Sequence, residues 1–233
     1  MTSKLAPPYL QDRLQDELWS AINRFDLQGV EGCFKAGVDP NRASSVDDMT
    51  PLGEAMNAVM FPELVRYDGF HDPERAEEVL DIILRVANPN TPTGTLDYIP
   101  LRLAVTCGSE EVLKKLLKAK ADPNMQLITC EGEYTPPALV YAARYPIDLD
   151  NYPGFFTEAD LIKRRRMVGS LLRAGASPFL SYAGMKDSDI EDGVCKQMIQ
   201  TARMTYAFSP IARSKERQTR RPAIQAEAPN FSI

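Results

Sequence analysis

Few side chains in this sequence have a type and spacing suited to catalysis. His71 is the single histidine, so a Ser-His-Asp, Cys-His or histidine-rich metal site would depend on it alone. Its neighbours Asp68, Asp72 and Glu74 are acidic, but this pattern is more typical of a surface histidine than of a metal ligand. We therefore predict no metal site.

The remaining enzymatic alternative rests on carboxylates. Asp148, Asp150 and Glu158 lie close together in the sequence and are candidate acids or bases. No nucleophile–base pair, glycine-rich phosphate loop or metal-ligand spacing accompanies them, and carboxylates in an acidic loop usually only solvate it. The sequence therefore predicts no catalytic residue and no cofactor, and an enzyme stays the minor alternative.

The cysteines favour a reducing compartment. No two of them form a CxxC pair, which disfavours a zinc site and a disulfide framework; they are Cys33, Cys107, Cys130 and Cys195. The sequence also has neither the secretion signal pattern nor an apolar run long enough for a membrane helix. We expect a cytoplasmic protein with no membrane partner, or alternatively one delivered into a host-cell cytosol.

Positive charge is concentrated in two segments. Residues 209–233 have a net charge of +3, and because the whole chain carries −5, residues 1–208 carry −8. An acidic body repels phosphate, which makes nucleic acid an unfavourable partner. The second segment, Lys163-Arg164-Arg165-Arg166, is similar to a nucleic-acid or targeting patch, but we interpret it as the solvated face of a helix.

The basic tail, residues 209–233, lacks apolar periodicity, and we expect it to be disordered. Its basic cluster matches a weak nuclear signal. Its end, Phe231-Ser232-Ile233, matches a pattern that some carboxylate-capturing domains accept. Both matches are common by chance, so a plain disordered end is the default interpretation.

The elements that would position any site are internal repeats. Residues 36–41 and 119–124 share the pattern Ala-x-x-Asp-Pro-Asn, and two further copies end in residues 87–90 and 174–178. Counting back from each ending places apolar residues at i, i+3 and i+4, as the buried stripe of a helix requires. These apolar positions, called the apolar columns below, recur in all four copies. They are Val30, Cys33, Phe34; Val79, Ile82, Ile83; Leu113, Leu116, Leu117; and Val168, Leu171, Leu172.

A second pattern precedes three of these helices. It reads Thr50-Pro51-Leu52-Gly53-Glu54-Ala55, then Ile99-Pro100-Leu101-Arg102-Leu103-Ala104, then Thr135-Pro136-Pro137-Ala138-Leu139-Val140-Tyr141-Ala142-Ala143. Proline suits a first helical turn and threonine can cap it. Together with the columns, this pattern resembles the ankyrin-repeat family, whose hallmarks are Thr-Pro-Leu-His-x-Ala-Ala, a Val-x-x-Leu-Leu helix and a Gly-Ala-Asp-x-Asn ending. The resemblance covers roughly Leu18 to Phe179.

The sequence departs from the family pattern at two kinds of position. The histidine of the family is replaced by Trp19, Gly53, Arg102 and Val140. The turn glycine is replaced by Val86 and Lys120 in the middle copies, which lowers the expected stability because non-glycine residues disfavour a positive φ.

The resemblance implies an all-α solenoid of stacked helix pairs with hairpin or loop tips, capped by terminal helices. An arm and the start of the first capping helix occupy residues 1–17. Repeats follow at about 18–49, 50–98, 99–134 and 135–185, and the C-terminal capping helix spans 186–208. This last helix is expected from Asp189 to Tyr206, with an apolar face of Ile190, Val194, Met198 and Ala202.

Copies two and four carry insertions. The interval from the inner-helix leucine to the end of the turn is 23 residues in copies one and three, but 38 and 40 in the other two. Each insertion contains a turn flanked by aromatics, namely Tyr67 and Phe70 in one and Tyr152 and Phe155 in the other. Either these aromatics cover the lengthened helices or they form a second partner surface.

Partners of this family usually dock on the concave face, formed by the tips and the inner helices. The tips are predicted at residues 44–49, 93–98 and 127–134. The resemblance therefore makes Met49, Glu54, Tyr98, Arg102, Leu127, Ile128 and Tyr134 the candidate contact residues, because aromatic and arginine side chains are common anchors and exposed apolar ones favour burial. The alternative is that Tyr98 and Tyr134 pack on one another along the stack.

The sequence thus predicts a non-catalytic module that binds another protein, monomeric when free, in the role of an adaptor, inhibitor or effector. A regulatory or structural subunit that binds through the insertion aromatics is the alternative. Repeats of this kind serve many unrelated roles, so the partner is not specified by the fold.

Overall fold

The computed structural model describes residues 5–45, 48–62, 72–94, 98–128, 134–143, 158–179, 186–190 and 192–208. These residues form nine α-helices, and their only β-type pairings are two isolated bridges. The helices are α1 (Pro8–Asn23), α2 (Leu27–Ala36), α3 (Pro51–Met60), α4 (Pro73–Leu84), α5 (Pro100–Thr106), α6 (Glu110–Lys118), α7 (Ala138–Ala143), α8 (Glu158–Arg173) and α9 (Gly193–Phe208). The predicted all-α class is confirmed.

The helices stack as pairs in two layers. Each odd-numbered helix from α1 to α7 packs against the helix that follows it, which gives four pairs. The inner helices α1, α3, α5 and α7 contact one another in that order, and so do the outer helices α2, α4, α6 and α8. Helix α9 packs on α8 and closes the stack. This is the predicted solenoid of stacked helix pairs.

Capping side chains explain where several helices begin. The side chains of Asp26 and Asp72 accept hydrogen bonds from the backbone N–H three residues on, at 3.0 and 3.1 Å, at the starts of α2 and α4. Thr50 caps α3 in the same way at 3.1 Å and Ser109 caps α6 at 3.4 Å. Each bond satisfies an N–H group that would otherwise lack an intrahelical partner. The capping role predicted for Thr50 is confirmed.

The predicted apolar columns form the core. All of their residues are buried except Leu117 and Leu172, which are partly buried against the same core. The alanines of the inner helices, including Ala55, Ala104 and Ala142, are also buried and allow these helices to approach one another closely. Burying one such face requires the neighbouring pair, which is why the stack rather than a single pair is the stable unit.

Successive repeats are joined by a ladder of hydrogen bonds at the turns. The side-chain oxygen of Asn41 accepts from Asn88 N–H at 2.6 Å, that of Asn90 accepts from Asp122 N–H at 2.7 Å, and that of Asn124 accepts from Ser177 N–H at 2.6 Å. The Asp-Pro-Asn endings that revealed the repeats are therefore also the residues that connect them.

At the N-terminal end, a glutamine takes the place of a preceding repeat. Gln11 Oε1 accepts from Asp39 N–H at 3.1 Å, as the asparagines do further along the stack. Its Nε2 donates to the carbonyls of Ala6 and Gly37, each at 3.0 Å. Helix α1 therefore satisfies the backbone groups that a preceding repeat would otherwise pair with.

The C-terminal cap begins later than predicted. A short 3-10 helix occupies Asp187–Asp189, and α9 starts only at Gly193. The buried residues are Ile190, Cys195 and Ile199, whereas Val194, placed on the apolar face by the sequence pattern, is exposed.

Part of each insertion lengthens an outer helix. Helix α4 has 12 residues and α8 has 16, compared with 10 in α2 and 9 in α6. The insertion aromatics Tyr67, Phe70, Tyr152 and Phe155 lie outside the described residues, as does the tail from residue 209. The two interpretations of these aromatics therefore remain predictions.

The two substituted turn positions behave differently. Lys120 adopts the left-handed backbone with φ of 71°, like the glycines Gly37 and Gly175 at the same position in copies one and four. Val86 is not among the described residues with a positive φ. The chain after α4 instead forms tight turns, in which the Val86 N–H donates to Ile83 O at 3.0 Å. The expected strain is therefore present at Lys120 only.

Candidate functional site

The three predicted tips are closed by backbone hydrogen bonds at the expected residues. Ser44 N–H donates to Met49 O at 2.7 Å in the first tip, and Thr93 and Tyr98 exchange two backbone bonds at 3.0 and 2.9 Å in the second. The third tip is closed by a bridge between Ile128 and Tyr134. Met49, Tyr98 and Tyr134 thus occupy equivalent positions just before the inner helices.

The third tip exposes two large apolar side chains. Ile128 is 64% exposed and Tyr134 is 66% exposed. Leu127, predicted with them as a contact residue, is instead partly buried against the core. Thr135 explains this placement, since its N–H donates to Leu127 O at 2.7 Å and its hydroxyl accepts from Leu127 N–H at 2.9 Å. The exposed surface of this tip therefore includes Ile128 and Tyr134.

Met49 lies in a buried junction between the first two tips. The Thr93 hydroxyl donates to Met49 Sδ at 3.2 Å and accepts from both the N–H and the hydroxyl of Thr50, at 2.9 and 3.0 Å. A Cβ at Gly53 would collide with the Thr93 hydroxyl oxygen. The threonine thus fills the space beside Gly53, where the family carries its histidine, and Met49 is partly buried there.

Arg102 is the most unusual of the candidate residues. It is 9% exposed, and its guanidinium carbon lies over the rings of Tyr98 and Tyr141, at 5.7 and 5.5 Å from their centroids. Its side chain has neither a hydrogen-bond acceptor nor an ion-pair partner among the described residues. Such cation–π contacts stabilise the charge but satisfy none of the five N–H donors.

Tyr141 is the functional candidate that the sequence reasoning missed. It lies on α7, two residues after the inner-helix leucine Leu139, just as Glu54 on α3 lies two residues after Leu52. Glu54 was selected at this position and is half-buried in the structure. The same register argument, applied to the third pattern, would have identified Tyr141.

The basic run on α8 ties helices together. Arg164 donates to Tyr141 O at 3.2 Å, Arg165 makes two hydrogen bonds of 2.9 and 3.0 Å to Asp192, and Arg166 lies 3.8 Å from Glu110. Lys163 and Arg166 are exposed and fit the solvated face that the sequence predicted. The interpretation misses that Arg164 and Arg165 anchor α8 to its neighbours.

The Arg165–Asp192 pair is the strongest ion pair of this region. The Asp192 side chain is almost fully buried, and its hydrogen bonds from Arg165 lower its pKa to about 2 despite the opposing effect of burial. Burial is the main cause that raises the pKa of the adjacent Cys195 thiol to about 12. The hydrogen bond with Asp192 raises this pKa as well. This thiol is therefore a poor nucleophile at neutral pH.

The described residues hold little else that suggests chemistry. Burial raises the pKa of the Cys33 and Cys107 thiols, and no group of three His, Cys, Asp or Glu side chains in the described part of the chain could hold a metal ion. Glu158 is exposed at the start of α8, whereas Asp148, Asp150 and His71 lie outside the described residues. Among the described helices, none is both long and apolar enough to cross a membrane.

Comparison with known families agrees with the fold. The family model of the ankyrin repeat matches residues 97–126, which contain Tyr98, all of α5 and α6, and the Asp122-Pro123-Asn124 ending. This match confirms the resemblance at one of the two compact repeats. No curated protein matches the chain.

Proposed function

We propose that this ankyrin-repeat stack is a non-catalytic module that binds another protein through its second and third tips and the inner helices α5 and α7. Ankyrin repeats generally mediate protein–protein contacts, and the match at residues 97–126 includes Tyr98 and α5 of this surface. The module is an adaptor, inhibitor or effector, monomeric when free, and acts in a reducing cytosol, either that of its own cell or that of a host.

The observation that carries the proposal is the placement of exposed large side chains. Ile128 and Tyr134 pair at the third tip, and Tyr98, 37% exposed, lies at the equivalent position of the second tip beside Arg102. Tyrosine and arginine are the residue types that most often dominate binding free energy. Exposing apolar side chains together is unfavourable in a free protein, and burial by a partner relieves that cost.

Hydrogen bonds with the first tip hold the second tip in place, which favours recognition there. Buried hydrogen bonds of Thr50 with Thr93 join the first tip to the second, and Gly94 N–H donates to Asp48 O at 2.9 Å between the same tips. A surface that is already ordered loses less conformational entropy when a partner binds.

The test compares matched substitutions on this surface and away from it. A partner is first captured from native lysate with the full chain and then purified, and its Kd is measured by calorimetry. We expect Tyr134→Ala and Ile128→Ala each to weaken binding about tenfold or more, since interface anchors contribute at least about 1.4 kcal/mol.

Two control variants match these in residue type. Tyr9→Ala removes a tyrosine that is 78% exposed on α1, and Ile162→Ala removes an exposed isoleucine on the outer helix α8. Both should leave Kd unchanged. If Tyr134→Ala had the same Kd as wild type while Ile162→Ala bound the partner more weakly, the interface would lie on the outer helices and the proposal would be contradicted.

A further inference from the structure

Arg102 presents a cation at the proposed interface that has no protein acceptor among the described residues. Its side chain is nine-tenths buried, yet its N–H donors have no acceptor among the described residues. The Arg102 nitrogens are not among the fully enclosed atoms, so water is the acceptor left to them in the free protein, and an acceptor from a partner can replace it. An arginine kept in this state by the fold is suited to receive an acceptor from outside the chain.

The guanidinium is also accessible. The described side-chain atoms that are both fully enclosed and unpaired are Gln15 Oε1 and Asn23 Oδ1, and the nitrogens of Arg102 are not among them. The contacts with Tyr98 and Tyr141 hold the side chain between α5 and α7, so little rotamer entropy remains to be lost on binding. A rigid guanidinium offers a planar pair of donors that matches the two oxygens of a carboxylate.

We propose that Arg102, held by Tyr98 and Tyr141, is a receptor for one carboxylate of the partner protein, an aspartate or glutamate side chain inserted between α5 and α7. This inference rests on the proposed function and names the chemistry of its partner. Arginine is the natural choice, since a lysine would offer a point charge without the paired geometry.

The surroundings of Arg102 define what must flank the carboxylate. Residues 1–208 carry a net charge of −8, so an acidic stretch would be repelled as a whole. Tyr98 contacts Arg102, and the exposed side chains described at the third tip, Ile128 and Tyr134, are likewise apolar or aromatic. The segment that binds therefore has one acidic residue among apolar and neutral or basic residues, and a phosphate, with its higher negative charge, is disfavoured.

The test is a selection from a displayed library of random linear peptides against the full chain. Wild type is compared with Arg102→Met, which removes the donors, Arg102→Lys, which keeps the charge, and the control Arg85→Met, which removes an exposed cation after α4. Circular dichroism and Tm measurements verify that each variant is folded. Selected peptides are then synthesised with Asp or Glu, the corresponding amide, or phosphoserine at the enriched position.

We expect wild type and Arg85→Met to enrich one acidic position flanked by apolar residues, and Arg102→Met to lose this enrichment. Replacing the carboxylate by its amide should weaken binding to wild type at least tenfold, and Arg102→Lys should recover only part of the affinity. Enrichment without an acidic position, or a preference for phosphoserine over the carboxylate, would overturn the inference while leaving the proposed function in place. A folded wild-type chain that enriches no peptide would count against both.

Discussion

The Asp122 N–H donates to the side-chain oxygen of Asn90 at 2.7 Å, which joins the turn after α4 to the turn after α6. Asn90 holds its position because its own N–H donates to the Asn88 side chain at 3.1 Å. The same arrangement recurs between the other repeats, where Asn41 and Asn124 are the acceptors. The ladder therefore couples successive repeats through residues that lie 32 to 53 positions apart in the sequence, in addition to the apolar core.

Removing one hydrogen bond of the ladder should lower stability without changing the fold. Asn90→Ala leaves the Asp122 N–H without its acceptor, and we expect a loss of about 1 kcal/mol in the free energy of unfolding. Asn90→Asp keeps an oxygen at the same position and should retain most of the stability. Urea denaturation followed by circular dichroism measures the free energy of unfolding of both variants. Equal midpoints for Asn90→Ala and wild type would show that this hydrogen bond contributes nothing to stability.

The N-terminal cap depends on Gln11. Gln11→Ala removes three hydrogen bonds, to Asp39, Ala6 and Gly37. We expect faster hydrogen exchange in residues 5–36 with little change in α5 and α6, because a solenoid opens locally from its ends. The exposed Gln28 on α2 provides the control, since Gln28→Ala removes a glutamine that makes no such bonds. A uniform increase in exchange over all helices would contradict the local role.

The repeats could be predicted from the sequence because they are set by local spacing. Apolar residues at i, i+3 and i+4 define a helix face whatever its neighbours are, so Val79, Ile82 and Ile83 were placed correctly in the core. The tips could be placed for a similar reason, since Thr93 and Tyr98 flank a short turn that precedes a helix-start pattern.

The contacts of the charged side chains could not be predicted in this way. Arg102 was predicted as a contact residue, but the sequence did not indicate that its guanidinium stacks on Tyr141, which lies on the next inner helix. Arg165 was assigned to a solvated face, but its partner Asp192 belongs to the C-terminal cap, 27 residues further along the chain. Such pairings are decided by how the helices stack, and no spacing within one helix encodes them.

Lys120 is a site where stability can be gained. Its φ of 71° lies in the left-handed region, which is unfavourable for a residue with a Cβ. We expect Lys120→Gly to raise the free energy of unfolding by about 0.5–1 kcal/mol, the relief of strain being partly offset by the greater flexibility of glycine in the unfolded chain. Val86→Gly is the control and should not stabilise, since Val86 does not have a positive φ. If the denaturant midpoint rose for both variants, backbone strain at Lys120 would not be the cause of the stabilisation.

The ion pair between Arg165 and Asp192 should make the C-terminal cap sensitive to acid. The pKa of Asp192 is about 2 in the folded protein, below the ordinary value of 3.8, mainly because of the hydrogen bonds from Arg165. A lowered pKa means that the folded state binds the proton less readily than the unfolded state. The stabilisation is therefore complete above pH 3.8 and is lost as the pH falls towards 2.

Asp192→Asn should accordingly lower the Tm by roughly 3–8 °C at neutral pH, and the difference from wild type should shrink as the pH falls from about 4 to 2. Asp12→Asn is the matched control, because Asp12 pairs with Arg42 on the surface, where an ion pair contributes little. Its Tm should stay within about 1 °C of wild type. If the two variants showed the same Tm at neutral pH, the buried pair would contribute no more than a surface pair, and the attachment of α9 would rest on its other contacts, such as those of Cys195 and Ile199.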